Sequence, residues 1–135
     1  MGTFLDMKSS MNSSGTGAPN VALSPTPTLF GIIGLDTMQT VGTVITLNGT
    51  VGVTGEVGDT FEVVIVRGSV YNPANVFYRA VGTVSQSEGP EFHSFTAQDL
   101  LAPPALLTVY SSYISGVSTS IRTGPEVFYG IASTV

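Results

Sequence analysis

From Thr43 to Arg67 the chain alternates apolar with small or polar residues, pauses, and alternates again. Ile45, Leu47, Val51 and Val53 share one parity, and Phe61, Val63 and Ile65 resume the pattern after a gap. Alternation of period two puts such residues on one face of a sheet, because successive strand side chains point opposite ways. Between the runs lies Gly55-Glu56-Val57-Gly58-Asp59, a turn composition with glycines that tolerate positive φ. The stretch therefore predicts a β-hairpin. Its second arm carries apolar residues on both parities, Val63 to Val66. Such a strand is central in a sandwich or covered on its outer side. The Val64/Val66 face is expected to be covered by the chain itself or by a partner.

The length of 135 residues is that of one domain able to bury a core. Sixteen glycines, eight prolines and abundant Val and Thr suit a turn-rich all-β protein. Only 10% of the residues are charged, nine acids against four bases, and the only lysine is Lys8. Soluble surfaces normally carry far more charge, and protein interfaces are depleted in Lys and Glu. The composition thus points to an assembled protein. The net charge of −5 argues against nucleic acid, which needs a basic stripe. No apolar run approaches the ~20 residues of a membrane span. The N-terminus lacks the basic and apolar regions of a signal peptide. With so few ionisable groups, stability is expected to vary little with pH.

Residues 1–24 read as an N-terminal arm and linker, and residues 25–135 as the sandwich domain. In the arm, Thr3 to Met7 forms a short apolar segment and Ser9 to Gly17 a flexible tether. The segment is a frayed terminus or an arm that orders by docking on a neighbour's sheet edge. Further strands are predicted at Val21–Leu23, Thr28–Met38, Val76–Gln86, Glu91–Thr96, Leu106–Ser115, Val117–Arg122 and Glu126–Ala132. In the third-to-last connection, Ala97–Leu101 reads as one helical turn. Turns are expected at Ser87–Pro90 and at Thr123-Gly124-Pro125. About eight or nine short strands with such turn spacing give an all-β, antiparallel β-sandwich, jelly-roll-like with an extended N-terminal arm. The Trp and paired cysteines of immunoglobulin domains are absent.

Chemical motifs are sparse. His93 would be the base of any Ser/His/acid triad, yet no G-x-S-x-G accompanies it. Glu56, Asp59 and Glu62 offer oxygen ligands for Ca²⁺, against the simpler reading of solvated acids at a hairpin tip. With one His and no Cys, neither metal nor cofactor is expected. A carbohydrate platform would draw on Tyr71, Tyr78, Tyr110, Tyr113 or Tyr129, without any Trp.

Pro25-Thr26-Pro27-Thr28-Leu29 running into Gly31-Ile32-Ile33-Gly34-Leu35, the Leu47-to-Gly52 arm, Ser94-Phe95-Thr96-Ala97-Gln98-Asp99 and Arg122-Thr123-Gly124-Pro125-Glu126 resemble small spore-surface proteins of Bacillus-like bacteria. These are structural proteins of the exosporium and endospore-appendage type. The resemblance spans about residue 20 to the end and carries no active-site residues. It implies a jelly-roll subunit of spore layers or fibres, released to the surface when the mother cell lyses, with itself and other spore-surface proteins as partners. Appendage subunits are often latched by disulfides through an N-terminal arm, which this cysteine-free chain cannot form. The expected function is a non-enzymatic, self-assembling subunit of a surface layer or fibre. The alternative is a carbohydrate-binding or virion-decorating β-sandwich module. Subunit contacts are predicted at Phe4, Leu5 and Met7 of the arm and at Val64 and Val66.

Overall fold

A computed structural model describes residues 2–86 and 89–134. The strands are β1 (Phe4–Ser13), β2 (Val21–Ala22), β3 (Thr28–Leu35), β4 (Thr43–Thr54), β5 (Thr60–Arg67), β6 (Val76–Thr83), β7 (Glu91–Asp99), β8 (Thr108–Gly116) and β9 (Ile121–Thr134). Sheet A has the order β1-β9-β4-β7, with β2 pairing the start of β9, and sheet B has the order β3-β8-β5-β6. Every pairing is antiparallel. This is an antiparallel jelly-roll sandwich, as the strand count and turn spacing predict.

The core lies between the sheets. Sheet A contributes Ile45, Leu47, Val51, Val53, Phe95 and Phe128, and sheet B contributes Phe30, Ile33, Leu35, Phe61, Val63, Ile65 and Ile114. Phe30 meets Phe95 and Phe128 edge-on, with ring centroids 6.0 and 6.5 Å apart. Such pairs add to the burial term, itself about 1.5–3 kcal/mol per fully buried large side chain.

Several expectations are corrected. The two arms of the 43–67 stretch do not pair: β4 bonds to β7 and β9, and β5 to β6 and β8. The Gly55–Asp59 turn carries the chain from one sheet to the other. The shared parity arises because both strands face the same core from opposite sides. Strict alternation along Thr28–Met38 sets Leu29, Ile33 and Leu35 on one face and Phe30 and Ile32 on the other, but the inward set is Phe30, Ile33 and Leu35, with Leu29 and Ile32 outward, because an irregularity between Leu29 and Gly31 breaks the parity. The helical turn at Ala97–Leu101 does not form, since β7 runs on to Asp99 with Ala97 and Asp99 facing inward. The turn expected at Ser87–Pro90 falls partly on residues outside those described.

The expected turn at Thr123-Gly124-Pro125 is a bulge inside one continuous strand. Glu126 faces Val51 and Arg122 faces Val53, so the bulged strand spends four residues where its partner spends two. Gly124 has φ 74°, and a side chain there would strike the carbonyl oxygens of Gly15 and Ala18. Only glycine fits.

The tether over Ser9–Gly17 is likewise corrected up to Ser13. Strand β1 continues through Ser13 and pairs with β9 of its own chain along Phe4–Ser13. Backbone hydrogen bonds to an available edge do not require apolar side chains, which is why the serine-rich composition misleads. Asn12 seals the end of the strand by donating from Nδ2 to Glu126 Oε1 at 2.7 Å.

Candidate functional site

The polar constellations settle first. His93 points inward from β7, its ring edge-on to Phe61 at 4.7 Å, and it bonds to Glu91 Oε2 through Nε2 at 3.2 Å. Ser94 points to the opposite face, where its hydroxyl meets that of Thr50. Ser85 donates its hydroxyl to Glu91 Oε1, so the acid stands between serine and histidine. That order cannot activate the serine, because the base must contact the nucleophile directly. The space beside His93, lined by Val51, Phe61, Val63 and Phe95, measures about 90 Å³. That is room for about three waters. Burial pushes the Glu91 carboxyl up, and hydrogen bonds from Ser85, Gln86 and His93 outweigh it, so its pKa is lowered. The group serves as the anchor of the β6–β7 connection.

The acids considered for Ca²⁺ do not converge. Asp59 Oδ2 accepts from Thr119, Ser120 and the Glu56 amide, and these bonds, led by Thr119, lower its pKa. Glu62 pairs with Arg79 on the outside of sheet B. Among the described residues no cluster of three metal-binding side chains exists.

The tyrosines form no common platform. Tyr110 is buried at the core, Tyr78 packs on Phe95, and Tyr129 lies on sheet A. Tyr71 and Tyr113 meet edge-on at 5.4 Å over the outside of sheet B. There they cover Val64 and Val66 together with Val76. The two valines are 2% and 0% exposed. They are therefore placed in a satellite core of the chain itself, which corrects their expected role as subunit contacts. Leu5 is corrected in the same way: it turns inward and packs against the main core.

Phe4 and Met7 remain, 64% and 51% exposed. The pairing of β1 with β9 puts them on the outer face of sheet A, opposite Ser133 and Ile131, with Met11 opposite Val127 and Ser9 opposite Tyr129. Strand β4 adds Val44, Thr46, Asn48 and Thr50 to this face. Strand β7 adds Phe92, Ser94, Thr96 and Gln98. No outward position of these four strands from Phe4 to Gln98 holds an acid or a base among the described residues. The face is half apolar and half small polar. Its polar half is internally satisfied: Gln98 donates to Thr46 at 3.4 Å, Thr96 to Asn48 at 2.8 Å, and the Thr50 and Ser94 hydroxyls lie 3.3 Å apart. Groups already paired within the face lose less on removal from water than unpaired ones.

Phe4 and Met7, expected from the sequence as subunit contacts of a docking arm, lie on this face, and the rest of it was not singled out. The signal was present in Thr46-x-Asn48-x-Thr50 and Ser94-x-Thr96-x-Gln98, the uncharged outward parities of two strands whose inward parities are apolar.

No protein-family model matches the chain. No curated protein matches it either. Solved structures do. The PRD1 vertex protein P5 aligns over 98% of this chain and 99% of its own, with a TM-score of 0.50 and 13% identity. What is shared is the fold. Eiger TNF from S. frugiperda aligns over 96% of this chain and 92% of its own, with a TM-score of 0.47 and 12% identity. Murine APRIL aligns over 92% and 98%, with a TM-score of 0.46 and 11% identity.

Proposed function

We propose that the chain is a non-enzymatic, self-assembling structural subunit of a surface layer or fibre, of the spore exosporium or endospore-appendage type. Copies meet through the outer face of sheet A. The observation that carries this reading is the absence of charge from that face in a chain of net charge −5. Copies that repel one another overall associate best where neither brings a carboxylate to the contact. Phe4, Met7, Met11, Tyr129 and Ile131 supply the apolar area, and the Thr, Asn, Ser and Gln rungs are already hydrogen-bonded along the sheet. Localisation at a spore or cell surface follows from the resemblance in the sequence.

A virion-decorating module is the second reading, favoured by the end-to-end likeness to the PRD1 vertex protein P5. Electron microscopy of the purified chain addresses self-assembly. Filaments or sheets are expected without any added partner. Dispersed single particles at high concentration would contradict the reading and favour a module that needs a foreign lattice.

A further inference from the structure

Two of the three methionines among the described residues stand on the outer face of sheet A. Met7 lies opposite Ile131 and Met11 opposite Val127, while Ser9 between them faces Tyr129. Tyr129 is therefore the diagonal neighbour of both thioethers. Strand β4 continues the same three rows with Thr46, Asn48 and Thr50. Met38, in the β3–β4 connection, lies outside the four strands of the face. All three methionines are between 51% and 63% exposed, so a dissolved oxidant reaches each of them in a single copy. The chain has no cysteine, so no thiol competes, and the thioethers are its most readily oxidised groups.

We propose that Met7 and Met11 are modification sites at which a peroxide-class oxidant blocks the contact between copies. The inference rests on the self-assembly reading and assigns a control to its face. The sulfur lone pair attacks one peroxide oxygen, the O–O bond breaks, and the departing hydroxide takes the proton of the transferred OH to give water. The thioether becomes a sulfoxide, oxidised by two electrons, and the peroxide is reduced by the same two. A thioether is a flexible apolar group, whereas a sulfoxide is a polar acceptor. The cross-strand neighbours Ile131 and Val127 have no side-chain donor to offer it. On the polar half of the face, Gln98 Nε2 is already given to Thr46 and the Thr96 hydroxyl to Asn48. A second copy laid over Met7 and Met11 excludes water, so their sulfoxide oxygens would lose a hydration that these apolar neighbours do not replace. In the assembled state the unoxidised thioethers are covered. Oxidant therefore stops free copies from joining and spares contacts already made.

Full-length protein, dispersed by dilution, is treated with hydrogen peroxide; peptide mass spectrometry reads sulfoxide at each methionine and sedimentation velocity reads assembly. Oxidation at Met7 and Met11 is expected to raise the concentration needed for assembly about tenfold, the factor for one unsatisfied buried acceptor. Methionine sulfoxide reductases should restore the original value. Met7→Leu/Met11→Leu, which keeps the apolar area, should assemble equally before and after peroxide, and Met38→Leu should remain sensitive. In preformed assemblies Met7 and Met11 should oxidise more slowly than Met38. A wild type oxidised at both sites that assembles like the untreated protein overturns the inference, as does a double variant that peroxide still disperses. If Tyr129→Glu disperses the assemblies while oxidation does not, the control falls and the self-assembly reading stands. If neither disperses them, and Met7 and Met11 oxidise as fast as Met38 in the assemblies, the sheet A contact falls as well. A wild-type chain that stays monomeric removes both.

Discussion

Arg122 and Glu126 stand four residues apart on one strand, yet their side chains meet in a two-point ion pair with both contacts at 2.7 Å. A regular strand would separate them by about 13 Å along its axis. The bulge at Thr123-Gly124-Pro125 brings them opposite Val51 and Val53, and the Glu126 side chain is completely buried. Asn12 donates the third bond to the same carboxylate and so ties β1 to the pair.

Removing one partner of a buried pair strands the other charge, at a cost of about 3–5 kcal/mol. Glu126→Ala is expected to lose that much stability in urea unfolding. Asn12→Ala should lose about 1.5–3 kcal/mol, the range for a hydrogen bond to a charged group. A Glu126→Ala midpoint equal to that of the wild type would contradict the assignment.

A second polar cluster joins the two sheets. Asp99 of sheet A accepts from Arg67 Nε at 2.9 Å and from the Tyr110 hydroxyl at 2.7 Å, both on sheet B. Burial, and then the Asp99 carboxylate, pushes the Tyr110 phenol well above its ordinary range. The unfolded chain releases this proton above about pH 10 while the folded chain retains it. Stability should therefore fall as pH rises beyond that point. In Tyr110→Phe this alkaline loss should be smaller, measured by urea midpoints at pH 9 and pH 11. The same loss in both proteins would rule Tyr110 out as its source.

Stability was expected to be flat with pH, and the carboxylates amend this at the acid side. Asp6 is lowered chiefly by the Asp36 amide, Asp59 by Thr119 and Ser120, and Glu91 by its bonds in the β6–β7 connection. Groups lowered in the folded state contribute stability above their unfolded values, which is lost as pH falls through the folded ones. Unfolding midpoints should hold from neutral pH to about 5 and decline below about 4. Asp59→Asn should reduce the decline. A midpoint unchanged at pH 2.5 would contradict it.

Val64→Asp should prevent folding rather than merely assembly. Its side chain is covered by Tyr71 and Tyr113 of the same chain, and Arg79, its cross-strand neighbour, is already paired with Glu62. An unpaired charge buried there belongs to the substitutions that cost more than about 4 kcal/mol. A soluble variant with native circular dichroism would show that the tyrosine cover opens.

The parity of Ile45, Leu47, Val51 and Val53 was legible because burial imposes it directly, and the two-sided character of β5 foretold a cover on its outer side. Pairing was not legible. Identical alternation arises whether β4 and β5 lie side by side or face each other across a core. The bulge in β9 was read as a turn because Gly-Pro punctuates both, and only the partner strand decides between them. The arm was underread for a related reason. An edge strand is held by backbone groups that every residue carries, so Ser9, Ser10 and Ser13 leave no compositional mark. The uncharged outer face of sheet A was only partly visible: Phe4 and Met7 stood out, whereas its uncharged rungs acquire meaning only once four strands are aligned.

Under the proposed function, copies meet through the outer face of sheet A. Sedimentation velocity on the wild type and on Tyr129→Glu tests it most directly, with Ser94→Glu, an exposed site, as a second variant that leaves the core untouched. Large, concentration-dependent species are expected for the wild type and folded, small particles for both variants. Variants that remain folded and sediment like the wild type would contradict it.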